Sequence, residues 1–193
     1  MGEEIKRTIK FTLVFMVLLG LVYPFVMTGI ANLLFPYQAK GSIIKVDSKP
    51  VGSELIGQKF TDPRWFMGRP SAVDYDATSS GGTNYALSNP KFHEELEKNI
   101  EEFLKKNPRV KRSEIPADIV TSSGSGLDPH ISPEAAYLQV KRVAKANGLP
   151  EEVVKKLVDK NIEGRFLGLF GEPRVNVLKL NLSLLEEIKK HKK

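Results

Sequence analysis

The chain has 193 residues, 27% of them charged, with a net charge of +6 and no cysteine. That length holds one domain plus an accessory segment. The missing thiols exclude disulfides, thiolate metal sites and a cysteine nucleophile. The spread-out charge lacks the basic patch with interleaved aromatics that nucleic-acid binding needs.

From Phe11 to Ala39 there is no Asp, Glu, Lys, Arg or His. A bilayer core of about 30 Å needs about 20 apolar residues at about 1.5 Å each. The stretch is longer than the roughly 7–15 apolar residues of a signal peptide, so it reads as an uncleaved anchor. Lys6, Arg7 and Lys10 crowd the short leading tail. They favour a cytoplasmic N-terminus, which places the rest of the chain outside the plasma membrane. Within the span, Gly20, Pro24, Thr28 and Ala31 or Asn32 recur at helical spacing and share one face. Small residues let helices approach closely in lipid, so this face is expected to meet a partner helix. Pro24 removes a backbone donor and predicts a kink. The expected organisation is a tail over 1–10, a transmembrane helix over 11–36 and a single soluble domain over 40–193.

In that domain, Ser42–Val46 and Glu54–Ile56 read as short strands around a turn at Asp47-Ser48-Lys49-Pro50. Residues 61–89 form a long irregular region whose aromatics (Trp65, Phe66, Tyr75, Tyr85) imply that it is packed. Asn89-Pro90 opens a helix that ends at Asn107-Pro108. A short extended run, Ala117–Val120, follows. Ser132-Pro133 opens a second helix, stopped at Asn147-Gly148, and Pro150 a third. Val175–Leu180 reads as a strand, Leu182–Lys190 as a final short helix and Lys189–Lys193 as a solvated end. The fold class is α+β: one N-terminal transmembrane helix, then a mixed soluble domain with a small sheet and several helices.

Of three histidines, His93 lies on a polar helix face and His191 in the basic tail, leaving His130 for chemistry. Ser125, His130 and Asp128 suggest a triad on paper, but no Gly-x-Ser-x-Gly elbow accompanies them. Asp128 and His130 lack further ligands at metal spacing. No catalytic site and no metal site are expected. Two glycine loops, Ser79–Asn84 and Ser122–Gly126, allow either tight turns with positive φ, the favoured reading, or anion cradles. Neither has the Gly-Lys-Ser/Thr of a P-loop.

Several ordered motifs then combine. Gly52-Ser53-Glu54-Leu55-Ile56-Gly57-Gln58-Lys59-Phe60, Gly68-Arg69-Pro70-Ser71-Ala72, Ser80-Gly81-Gly82-Thr83-Asn84 and Ser88-Asn89-Pro90 come first. Pro116–Thr121, Ser123–Pro133, Arg142-Val143-Ala144, Gly171–Leu178 and Leu180-Asn181 complete them. Together they resemble the C subunit of Kdp-type potassium-transporting ATPases, from the membrane helix nearly to the C-terminus.

The resemblance implies an accessory, non-catalytic subunit of an ATP-driven potassium importer. Its implied partners are a channel-like potassium-translocating subunit, a P-type ATPase subunit and a small single-helix subunit. The Asp-Lys-Thr-Gly phosphorylation motif of P-type pumps is absent from this chain. The family is credited with raising the ATPase subunit's affinity for ATP, as a catalytic chaperone, through the region matching Ser80, Gly81, Gly82, Thr83 and Asn84. No cofactor of its own is implied; ATP would come with the partner ATPase subunit. Where relatives carry a Gln assigned to nucleotide contact, this chain has Thr78. An external domain and help with ATP binding do not combine simply, which leaves an assembly clamp or a cap near the ion entrance as the other role. An independent extracytoplasmic anion-binding module is the alternative from a different class.

Overall fold

The computed structural model describes residues 1–191, so Lys192 and Lys193 of the basic run lie outside the described residues. The chain divides into two compact units after Val51.

The first unit is dominated by a helix over Gly2–Leu34, 33 residues long, or about 50 Å at 1.5 Å per residue. It comprises α1 (Gly2–Val17), a π-turn (Leu18–Val22) and α2 (Tyr23–Leu34). The helix begins well before the uncharged stretch and takes in Glu3, Glu4, Lys6, Arg7 and Lys10. Lys6 Nζ donates to Glu3 at 2.9 Å, one turn back. Pro24 explains the π-turn. It has no N–H, and its ring would press on the carbonyl four residues earlier. The preceding turn widens instead, and Tyr23 N–H reaches back five residues to Leu18 O.

A four-residue helix follows, α3 (Pro36–Ala39), and then β1 (Ile43–Val46) pairs with β2 (Lys49–Ser53). The turn is only Asp47-Ser48, at φ 50° and 64°, a left-handed pair whose twist suits a two-residue hairpin. The expected four-residue turn is thereby corrected: Lys49 and Pro50 belong to the second strand, and Glu54–Ile56 lies outside it. A two-stranded ribbon has free edges on both sides, so Pro50 is tolerated there.

The second unit contains a three-stranded antiparallel sheet in the order β3 (His130–Ile131), β5 (Arg174–Asn176), β4 (Ile162–Glu163). Its helices are α4 (Pro90–Lys106), α5 (Pro133–Asn147), α6 (Glu151–Asn161) and α7 (Val177–His191). The expected caps are in place. Asn89 Oδ1 accepts from Lys91 N–H at 3.0 Å and Ser132 Oγ from Ala135 N–H at 3.1 Å. Gly148 ends α5 at φ 66°. The core is built from Ala135, Ala136, Val140 and Val143 of α5, Val154 and Val158 of α6, Leu180 and Leu184 of α7, and Ile131 and Val175 of the sheet.

Two local expectations are corrected. The apolar run Val175–Leu180 is strand only to Asn176, because Asn176 Oδ1 accepts from Lys179 N–H at 3.1 Å and starts a helix there. Val177, Leu178, Leu180, Asn181 and Leu184 then bury at helical spacing. Ala117–Ile119 is a 3-10 turn, with Asp118 accepting from the Ser132 amide at 2.7 Å and its hydroxyl at 2.9 Å.

The irregular region 61–89 has neither helix nor strand, yet it is packed. Phe66 is fully buried. Its amide and carbonyl pair with the two ends of the Asn181 side-chain amide, at 2.8 and 2.9 Å. Gln139 does the same for Met67, at 2.8 and 3.1 Å. Arg142 donates to Pro63 O at 2.6 Å and Trp65 O at 2.9 Å. Side chains on α5 and α7 thus play the part of a neighbouring strand.

Candidate functional site

The two glycine loops meet. Gly81 N–H donates to Ser125 O at 2.9 Å, and Ser80 Oγ donates to the same oxygen at 3.0 Å. Ser71 ties the pair from below: its hydroxyl donates to Gly126 O at 2.7 Å and accepts from the Tyr75 amide at 2.9 Å. Ser123 N–H donates to Pro70 O at 3.2 Å. A Cβ on Gly82 would stand 3.0 Å from Gly124 O, and one on Gly126 2.8 Å from Gly81 O. Close approach therefore calls for glycine at 82, and at 126 it adds to a left-handed backbone. Of the loops' residues, Gly126 (φ 70°) and Asn84 (φ 53°) adopt the left-handed conformation. An anion cradle needs backbone amides converging on open space. Here the Gly81 amide is already engaged, and the Asn84 side chain donates to Gly82 O at 3.1 Å. Thr78 turns its hydroxyl to Asp76, at 2.7 Å.

Beside the loops runs a chain of charges. Arg69 Nη1 donates to Asp128 Oδ2 at 3.0 Å, and the His130 amide to Asp128 Oδ1 at 2.9 Å. The His130 ring lies 3.6 Å from Asp128 and 4.0 Å from Glu163. Glu163 is held by Arg174 at 3.1 Å and Lys179 at 3.2 Å, and Lys179 also reaches Glu54 at 2.9 Å. Burial opposes ionisation of Asp128, but hydrogen bonds from His130 and Arg69 outweigh it and hold the carboxyl below its usual range. Glu163 is held low in the same way, against burial, by Arg174 and Lys179. Tyr75, which donates to Arg69 O at 2.6 Å, is pushed up to about 12, chiefly by burial. The structure brings His130 and Asp128 together, as the sequence suggested, but Ser125 Oγ accepts from Leu127 N–H within its own turn. His93 Nε2 lies 2.8 Å from Leu87 O, and His191 Nδ1 lies 3.1 Å from Glu187 O.

A depressed carboxylate pKa stabilises the fold above the unfolded value of about 3.9 and ceases to do so as pH falls through the folded value. Asp128→Asn is expected to cost about 1–3 kcal/mol at pH 7 by leaving Arg69 short of an acceptor. It should also flatten the loss of stability below about pH 4. Thermal melts across pH 2–7 would show both; equal melting curves for the two proteins would refute the point.

In the long N-terminal helix, Pro24, Thr28, Ala31 and Asn32 lie in the regular α2 and share a face, while Gly20 sits within the π-turn. Asn32 Nδ2 donates to Thr28 O at 2.9 Å, so its amide is partly satisfied within the helix. The sequence reading passed over Gln139 and named Arg142 and Asn181 only within family motifs, without the role they have here: all three pin the loop beneath the site. For Gln139 the signal was polarity at a position whose helical neighbours are apolar.

A helix long and apolar enough to cross a bilayer, followed by a domain of helices and small antiparallel sheets, gives the chain an α+β architecture. The family model described as K+-transporting ATPase, c chain, matches residues 5–186. The chain is 98% identical over 193 residues, the full length of both, to a potassium-transporting ATPase KdpC subunit of Caldanaerobacter subterraneus subsp. tengcongensis. It is 53% identical over 182 residues, 94% of each chain, to KdpC subunits of Bacillus cereus and Bacillus anthracis. The chain belongs to the KdpC family, accessory subunits of the potassium-transporting ATPase complex.

Proposed function

We propose that the chain acts in assembly: a non-catalytic subunit that clamps a potassium-importing P-type ATPase together. Its partners in this reading are a channel-like translocating subunit, the ATP-hydrolysing subunit and a small single-helix subunit. The α2 face of Pro24, Thr28, Ala31 and Asn32, with Gly20 in the π-turn before it, meets one of them in the bilayer. The basic N-terminal tail stays in the cytoplasm and the soluble domain stands outside, near the ion entrance.

The observation that carries this reading over a nucleotide role is the interlock of the two loops. Gly81 N–H and Ser80 Oγ both point at Ser125 O, which suits a rigid scaffold better than an open phosphate cradle. Raising the ATPase subunit's affinity for ATP would require Ser80, Gly81, Gly82, Thr83 and Asn84 to reach nucleotide from the cytoplasmic side. A free-standing anion-binding module would require the same loops to open.

Two measurements test the proposal. Protease added to sealed right-side-out vesicles is expected to digest the soluble domain; protection until the membrane is opened would reverse the orientation and favour the ATP role. Thr28→Leu is expected to lower co-purification with the other ATPase chains roughly tenfold, the effect of about 1.4 kcal/mol of lost close packing. Unchanged recovery would remove this face from the interface.

A further inference from the structure

Between β4 and β5 the chain makes a small hairpin whose tip is entirely apolar. Phe166, Leu167, Leu169 and Phe170 are 71%, 75%, 77% and 63% exposed. In a water-soluble domain such a cluster is costly unless something covers it.

The tip is also rigid. Phe166 N–H donates to Phe170 O at 2.8 Å, and Phe170 N–H returns the bond to Phe166 O at 3.0 Å. Gly168 N–H and Leu169 N–H close the turn onto Arg165 O and Phe166 O, both at 3.1 Å. Leu167 and Gly168 both have left-handed backbones, at φ 53° and 73°. A leucine in that conformation is strained, and a glycine there would relieve it. Strain held at an exposed position is a mark of function rather than of folding.

Two kinds of apolar cover are available to a membrane subunit, lipid and protein, and the surroundings of the tip favour protein. A finger that enters a bilayer gains from unpaired cations that reach headgroups. Here Arg165 is paired with Glu172 at 2.8 Å, and Arg174 with Glu163 at 3.1 Å. The collar is thus electrically balanced. A fluid bilayer also asks for no fixed shape, whereas a preorganised plug lowers the entropy cost of docking into a matching cavity. Two exposed phenylalanines on a fixed turn match the aromatic enrichment of interface cores.

We propose that the Phe166–Phe170 hairpin is a docking plug that inserts into an uncharged, apolar pocket on another chain of the same ATPase complex. The inference rests on the assembly reading above and adds to it a soluble-domain contact separate from the membrane helix.

The test uses the full-length chain in membranes holding the whole transporter. Leu169 is replaced by the photoreactive p-benzoylphenylalanine, and the complex is irradiated and purified. The expected result is one adduct to another ATPase chain, identified by mass spectrometry. Phe166→Ser combined with Phe170→Ser is expected to reduce co-purification roughly tenfold or more, as loss of a central aromatic anchor does. Both side chains are exposed, so the melting temperature of the isolated full-length chain should not fall. An adduct to phospholipid alone, to a second copy of the chain or to nothing, in a complex that still co-purifies, overturns the plug. Failure of the unsubstituted chain to co-purify with any ATPase chain would instead overturn the assembly reading, and the plug with it.

Discussion

Arg142→Ala is expected to destabilise the soluble domain by about 2–4 kcal/mol, the range for dismantling a buried polar network. For a protein of this size that corresponds to a melting temperature lower by roughly 10 °C. Arg142 is the hub of the irregular region. Its Nε donates to Asn107 Oδ1 at 2.9 Å, its Nη1 to Pro63 O and Trp65 O, and its Nη2 to Gln139 Oε1 at 2.6 Å. All four acceptors are neutral, so burial is uncompensated by any of them and pulls the guanidinium down to about 10, still protonated at neutral pH. Truncation would leave those oxygens short of donors and release the start of the loop. Arg142→Lys should restore little, because one ammonium cannot occupy the three nitrogen positions of the fork. Denaturant or thermal unfolding of the full-length protein would measure both variants. A loss below about 0.5 kcal/mol, the range of ordinary surface substitutions, would show that the loop is held by other contacts.

Gly126→Val carries the second large effect, about 3–5 kcal/mol from left-handed strain added to overpacking. The new Cβ would stand 2.5 Å from Val73 Cγ2 and 2.8 Å from Gly81 O, at a φ of 70°. The Val73 methyl can turn aside, but the Gly81 carbonyl cannot yield without parting the two loops, since Gly81 N–H is bonded to Ser125 O. Faster amide exchange at residues 80–84 should therefore accompany the fall in stability. Gly124→Val is the matched control, with nothing within 4 Å of its added Cβ, and should cost far less. Equal effects at the two positions would refute close packing as the reason for glycine at 126.

How much of this was legible depended on how local the cause was. The helix starts at Asn89-Pro90 and Ser132-Pro133 and the stop at Gly148 rest on residues within a few positions of one another, and each appears where the sequence placed it. The strand read over Val175–Leu180 failed for a related reason. Alternating Val175 and Val177 suit a strand, but the side chain of Asn176, by capping the next turn, decides for helix. The hairpin turn was misjudged because Lys49-Pro50 has turn chemistry, although Asp47-Ser48 alone suffices. The clamps on Phe66 and Met67 were invisible for a different reason. They join residues 115 and 72 positions apart, and nothing in an asparagine or a glutamine announces a distant backbone partner. The contact between the two glycine loops has the same character: each loop was recognised, but their union across 45 residues was not.

The π-turn at Leu18–Val22 bears on how the long N-terminal helix presents its side chains. A π-turn holds about one residue more than an α-turn, which rotates everything beyond it by about 100° relative to an uninterrupted helix. A stripe of side chains on α1 therefore does not continue along the same side of α2. A neighbour lying along the whole helix would thus meet one set of side chains on α1 and, beyond the π-turn, a set about 100° around on α2.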